Sequence, residues 1–294
     1  MTAVAAVTPR GTRTARWFRQ LGWRHLVALA AVVFSLFPIV FVVSAALNPV
    51  GTLSSTNVVP AGASVSNFTD LFHRTEFVRW FLNSVVIAGV SSAGGVFMSL
   101  LAAYAFSRMR FRGRRIGLIS LLLIQMFPQF LAIVAIYLMF TKISDLYPEI
   151  GFNTSWSLIL LYMGGALGVN TWLMKGFFDT VPIELDESAK VDGASHAVTF
   201  FRIILPLVTP ILAVVGVLSF IGAINEFLMA SIFLTDNTSK TLAVGLYGLV
   251  AGERNANFGV FAAGTLLTAI PTVILFFSLQ RYIAGGLTAG AVKG

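Results

Sequence analysis

The chain alternates long uncharged runs with short polar ones. Residues 26–47 form 22 consecutive positions without a charge. At about 1.5 Å per residue such a run crosses the roughly 30 Å hydrocarbon core of a bilayer. Comparable runs cover residues 81–106, 116–140, about 156–174, about 203–228 or beyond, and 258–279. The polar stretches between them are rich in Gly, Pro, Asn and Ser, which marks them as loops: 48–80, a short turn around Asp145, Pro148, Glu149 and Gly151, the long segment 175–202, and 235–257. The pattern predicts an all-α polytopic membrane protein with six transmembrane helices. It comprises a basic arm (1–25), a six-helix domain (26–283) and a tail (284–294).

Composition agrees with that solvent. The chain is 57% hydrophobic and 11% charged, where a soluble domain carries about a quarter of its residues charged. The net charge of +8 is distributed by side. Of the 20 Lys and Arg, only Arg74, Arg79, Lys142, Lys240 and Arg254 fall on the side opposite the arm, the 108–115 turn, the 175–202 loop and the tail. The positive-inside rule puts both termini and the 175–202 loop in the cytoplasm. The first run is too long for a signal-peptide core and reads as a retained anchor. With no cysteine, disulfide frameworks and thiolate metal sites are excluded, and His25, His73 and His196 have no metal-ligand spacing.

Inside the spans, Ser91, Gly95, Ser99 and Ala103 recur every fourth residue, and Gly164 with Gly168 repeats the interval. Such stripes let helices pack closely; they serve either ordinary packing or faces that slide. Pro38, Pro128, Pro210 and Pro271 each remove a helix donor. Glu226, beside Asn225, has two readings. Either the fifth span ends there and the carboxylate is interfacial, or it faces a watery route, because a charge in hydrocarbon is expensive. Gln125, Gln129 and Asn170 are further candidates to line that route.

The 175–202 segment is a long charged loop between spans. Thr180 is a candidate cap for a helix containing Pro182, Glu184 and Asp186, and Gly193 offers the left-handed conformation that ends it. Ser195 can cap the next helix, which feeds into the fifth span. Ala189 and Gly193 are small enough to let this corner enter a groove on another protein; a solvated hairpin is the alternative. From Asp179 to Asp192 five acids face Lys190 alone, which repels nucleic acid. No lysine follows a glycine, so a phosphate-binding loop is absent. Any nucleotide hydrolysis belongs to another chain.

Glu187-x-Ala189-x-x-x-Gly193, followed by Ile203-x-Leu205-Pro206, resembles the EAA signature of bacterial ABC importer permeases, with Ser188 in place of the usual first alanine. Ala105-Phe106-Ser107-Arg108-Met109-Arg110-Phe111, Gln125-Met126-Phe127-Pro128, Lys175-Gly176-Phe177-Phe178, Thr241-Leu242-Ala243-Val244-Gly245 and the ending from Gly286 to Gly294 are similar to MalG-type permeases of maltose and maltodextrin importers. The resemblance implies a type I importer permease fold in a bacterial inner membrane. It also implies a second, MalF-like permease, a homodimeric ATPase holding the ATP and Mg, and an extracytoplasmic sugar-binding protein. No cofactor or catalysis is expected on this chain. Glu187, Ser188, Ala189, Asp192, Gly193, Ile203, Leu205 and Pro206 would couple to the ATPase, Lys293 and Gly294 would reach it from the tail, and the 235–257 loop would touch the binding protein. The implied cargo is maltose, maltodextrin or a related alpha-glucoside, on whose rings Phe127, Tyr162, Trp172 and Phe227 could stack; packing is their alternative role. The alternatives are a permease for another solute and a membrane scaffold that transports nothing.

Overall fold

The computed structural model describes residues 21–50, 62–251 and 257–291. Most of the basic arm and the tail residues Lys293 and Gly294 lie outside the described residues. All described regular structure is helical: α1 (Trp23–Leu47), α2 (Ser66–Arg74), α3 (Phe77–Arg108), α4 (Arg114–Met126), α5 (Gln129–Leu146), α6 (Ser155–Phe178), α7 (Glu184–Val191), α8 (His196–Val198), α9 (Leu205–Asn225), α10 (Leu228–Phe233), α11 (Leu242–Val250) and α12 (Phe258–Ala291). A 3-10 turn (Pro148–Ile150) precedes α6, and a π-helical segment (Thr199–Ile204) joins α8 to α9.

Five stretches are long and apolar enough to cross a membrane: α1, α3, α6, the continuous helix His196–Asn225, and Phe258–Tyr282 within α12. The sixth expected span is not straight. α4 and α5 meet at about 102°. The cause is Pro128, which has no N–H and whose ring would strike the carbonyl four residues earlier. It also drives Phe127 into extended backbone, with φ −71° and ψ 129°. Pro38, Pro210 and Pro271, by contrast, sit inside continuous helices.

The bundle is built on α3 packed along α6. Ser91, Gly95, Ser99 and Ala103 are all buried, and a Cβ on Gly95 would stand 3.0 Å from Ala166 on α6. Small residues here bring two helix backbones together. Two apolar clusters fix the ends. One joins Ala45 and Ala46 of α1, Leu71 of α2, Trp80 of α3, Leu242 and Leu246 of α11, and Ala262 and Ala263 of α12. The other joins Leu100 and Tyr104 of α3, Met174 and Phe178 of α6, and Phe200, Ile204 and Val208 at the start of the fifth span. The start of α1 and the end of α12 therefore lie toward the end of the bundle that carries α7.

Three expected loops contain ordered helix. Within 48–80, α2 is tied down by buried Asn67, whose Nδ2 donates to the carbonyls of Ala46 and Asn48 at 2.9 and 2.8 Å. Within 235–257, α11 buries Leu242, Gly245 and Leu246, so part of this segment packs into the bundle. At the C-terminus, α12 runs on through residues 284–291, where a free tail was expected.

Candidate functional site

The charged corner is an elbow made of α7, a tight turn and α8. α7 starts at Glu184, with Ile183 in the cap position and no side-chain cap. Thr180 does not serve, because its hydroxyl turns back to the Phe177 carbonyl at 2.7 Å. Gly193 adopts φ +79°, the left-handed conformation glycine takes without steric penalty. There its N–H bonds the Lys190 carbonyl and that of Ala194 bonds Ala189, closing the helix. Ser195 caps α8, its Oγ accepting from the Val198 N–H at 3.3 Å.

The π segment follows from the sequence after the elbow. Pro206 has no N–H for the α-helical bond to Arg202, and the Leu205 N–H reaches back five residues to the Phe200 carbonyl. Phe200 and Ile204 enter the cluster with Tyr104 and Phe178, while Phe201 stays exposed. Ile203 and Leu205 pack against that cluster, and Pro206 is exposed.

The elbow is also clamped from the side. Asp186 and Arg108 are 3.0 Å apart, with side chains only 8% and 9% exposed. Arg108 Nη2 donates in addition to the Val181 carbonyl at 2.7 Å. Asp179 accepts from Ser107 at 2.7 Å and pairs with Lys175. Burial alone would raise the Asp179 pKa, but the bonds from Lys175 and Ser107 and the charges of Lys175 and Arg114 outweigh it and hold the carboxyl below its ordinary 3.8. Of the five acids only Asp186 is buried; Asp179 is paired but exposed, as are Glu184, Glu187 and Asp192. Ala189 is buried against this chain, so its small size serves the elbow's own packing. Glu187, Ser188 and the 88%-exposed Val191 form the outward face.

At the other end of the same helix lies a cavity of about 1200 Å³ between the α4–α5 bend, α6 and α9. Gln125, Asn170 and Glu226 all line it; Asn225 does not, being exposed with its Nδ2 donating to the Ile221 carbonyl at 2.8 Å. Gln129's side chain lies outside the described residues. α9 ends at Asn225, and Glu226, in extended backbone, turns into the cavity. The two readings of Glu226 therefore meet: the helix stops there and the carboxylate faces the bundle. Its oxygens accept from the Tyr162 hydroxyl at 2.6 Å and from the Met229 and Ala230 N–H groups at 2.9 and 3.0 Å. The two backbone bonds cap α10.

Asn170 donates to Ser219 at 3.0 Å, joining α6 to α9. Gln125 donates to the Gly165 carbonyl at 3.1 Å and lies over Gly168, where a Cβ would collide with its amide. Phe127 and Tyr162 line the cavity. Trp172 is a packing residue, its Nε1 bonded to the Leu118 carbonyl, and Phe227 meets Tyr247 edge-on. Ser219 escaped sequence reasoning, although it stands seven residues before Glu226 on one helical face.

A lipid-length helical bundle with a charged elbow continuous with a span, that span ending at an open cavity with polar groups in its walls, defines a membrane permease subunit. The chain belongs to the family described as binding-protein-dependent transport system inner membrane component, which it matches over residues 95–288. It is 41% identical over 282 residues to the galactooligosaccharides transport system permease protein GanQ of Bacillus subtilis, covering 95% of this chain and 97% of that one. It is 38% identical to the maltodextrin transport system permease protein MalD of Streptococcus pneumoniae over 95% and 97% of the two chains. To the maltose/maltodextrin transport system permease protein MalG of Escherichia coli K12 the identity is 39%, covering 92% and 95%. Among solved structures, a bacterial ABC transporter that imports the acidic polysaccharide alginate contains a chain of the same fold. Its TM-score is 0.72 at 20% identity, over 94% of this chain and 99% of that one. The chain is accordingly an inner-membrane transport component and not an enzyme.

Proposed function

We propose that this chain is the permease subunit of an ATP-driven sugar importer whose cargo is maltose, maltodextrin or a related alpha-glucoside. The observation that carries this reading is the single helix His196–Asn225. It begins in the elbow and ends one residue before Glu226 at the cavity, a rod of about 45 Å for its 30 residues. A displacement of the elbow therefore reaches the cavity without crossing a loop.

In this reading the outward face at Glu187, Ser188 and Asp192 sits in a cleft of a homodimeric ATPase. Gly193 shapes the turn, Ala189 holds the elbow to its own chain, and Ile203, Leu205 and Pro206 join it to the span. Lys293 and Gly294 add an ATPase contact from the tail. A second, MalF-like permease completes the cavity, and an extracytoplasmic binding protein delivers sugar to the side bearing 235–257. Gln125, Asn170 and Glu226 line the route. ATP closing its dimer moves the elbow, and the cavity opens outward. Closure and docking drive the cycle only through their greater affinity for that state.

The names of the maltodextrin and maltose relatives support an alpha-glucoside. The 41% identity to a galactooligosaccharide permease favours a second reading, a galactose-containing oligosaccharide. The test is ATPase stimulation and uptake by the reconstituted complex with binding proteins loaded with each sugar. Stimulation by maltodextrin supports the first reading, stimulation by galactooligosaccharide alone replaces it with the second, and no stimulation by any sugar refutes both.

A further inference from the structure

Glu226 is the only acid or base among the described residues lining the cavity. Around it the walls carry neutral polar groups, Gln125, Asn170, Ser219 and the Tyr162 hydroxyl, on an otherwise apolar surface. Among the described residues no Lys, Arg or His lines the cavity to neutralise an anion. All three of Glu226's polar partners donate to it, which is the arrangement an ionised carboxylate takes. A charge against low-dielectric walls is poorly screened and projects its field through the space beside it.

We infer that the cavity is a charge filter, in which Glu226 admits uncharged polyhydroxylated saccharides and repels carboxylated ones such as uronate oligomers. The inference rests on the sugar-importer reading and adds to it the class of sugar. Neutral rings find amide and hydroxyl partners at Gln125, Asn170 and Ser219, and apolar surface for their C–H faces. A uronate would bring a second negative charge next to Glu226, and the described lining of this chain holds no cation to balance it. The alginate importer contains a chain of the same fold, so the architecture by itself does not set the class of sugar.

The chain has no cysteine, which permits a direct test of the field. Gly222 lines the cavity one turn before Glu226, and a Cβ there meets nothing within 4 Å, so Gly222→Cys introduces a reporter with room to stand. In the complete reconstituted complex, its modification rates by a cationic and an anionic methanethiosulfonate reagent are compared with those of a free thiol in solution. A unit negative charge within one helical turn should favour the cationic reagent by about tenfold or more over the free-thiol ratio. Adding Glu226→Gln should return the ratio toward that of the free thiol.

In the same reporter, a neutral gluco-oligosaccharide should slow modification and an oligouronate should not. The reading with Glu226 intact stands without the Gln variant, should that variant fail to assemble. A cation-to-anion ratio equal to that of the free thiol, or one unchanged by Glu226→Gln, overturns the filter, as does equal protection by neutral and acidic saccharides. Uptake of a neutral sugar by the unmodified complex separates these failures from failure of the importer reading itself.

Discussion

Removing Asp186 isolates a buried guanidinium. In the native elbow, Arg108 and Asp186 are paired at 3.0 Å with both side chains under one-tenth exposed. Breaking such a pair from one side costs about 3–5 kcal/mol, because the remaining charge keeps its desolvation penalty without its partner. At about 1.4 kcal/mol per factor of ten, the opening equilibrium of α7 in Asp186→Ala should rise on the order of a hundred- to several thousandfold. Arg108→Ala should do more, since it also removes the bond to the Val181 carbonyl. The assay is amide hydrogen exchange across Glu184–Val191 in the reconstituted complex, with sugar uptake measured in parallel. Replacing both partners with apolar residues of similar size, Arg108→Met with Asp186→Leu, should restore much of the protection. Native-level protection in Asp186→Ala, or a double variant as open as the single one, would refute the view that this pair holds the elbow to α3.

Three further outcomes are expected. At Gly193 the backbone alone matters, since a Cβ would meet nothing within 4 Å. Gly193→Val should cost about 1–2 kcal/mol through its left-handed φ and weaken ATPase co-purification, while Gly193→Asn should be milder. Gly168→Val should displace Gln125 and reduce uptake, with Gln125→Ala restoring part of it; no recovery would place the damage elsewhere on α6. Because the Asp179 carboxyl is held below 3.8, its contribution is fully present above the unfolded value and is lost as pH falls through the lower folded value. Exchange protection at the end of α6 should thus be level above about pH 5 and decline below about pH 4, and Asp179→Asn should remove that decline.

What the sequence made legible is what one helix says about itself. Uncharged run lengths located the membrane segments, and Gly193 with Ser195 marked the corner of the elbow. Pro128 was visible as a break but not the turn of about 102° it makes, because the angle depends on what α4 and α5 pack against. Arg108 read as one of a row of topology-setting arginines, and Asp186 as one of a row of solvated acids. Their pairing spans 78 positions, and no periodicity reports which helices meet. Thr180 lost its expected role because its hydroxyl found a nearer carbonyl, a local competition typical of Ser and Thr. α11 was hidden because nine apolar residues are too few to span, yet they suffice to fill a groove between α3 and α12. Gln125, Asn170 and Glu226 were chosen as polar residues in apolar runs, and they do share a cavity; Asn225, chosen on the same ground, falls one position off that face.

Asn153 stands in left-handed backbone at φ 60°. Its N–H bonds the Phe233 carbonyl, and its Oδ1 takes the Thr235 and Asp236 N–H groups at 2.7 and 3.0 Å. The short helix α10 is thereby stapled to the start of α6 at its far end, as Tyr162 staples it at its near end. In the importer reading, a swing of the long rod would leave α10 behind with α6. The bend would then fall on Asn225–Phe227, a knee of a few residues whose central carboxylate lines the cavity, so that on this reading the joint that yields and the surface that meets the cargo would be one and the same.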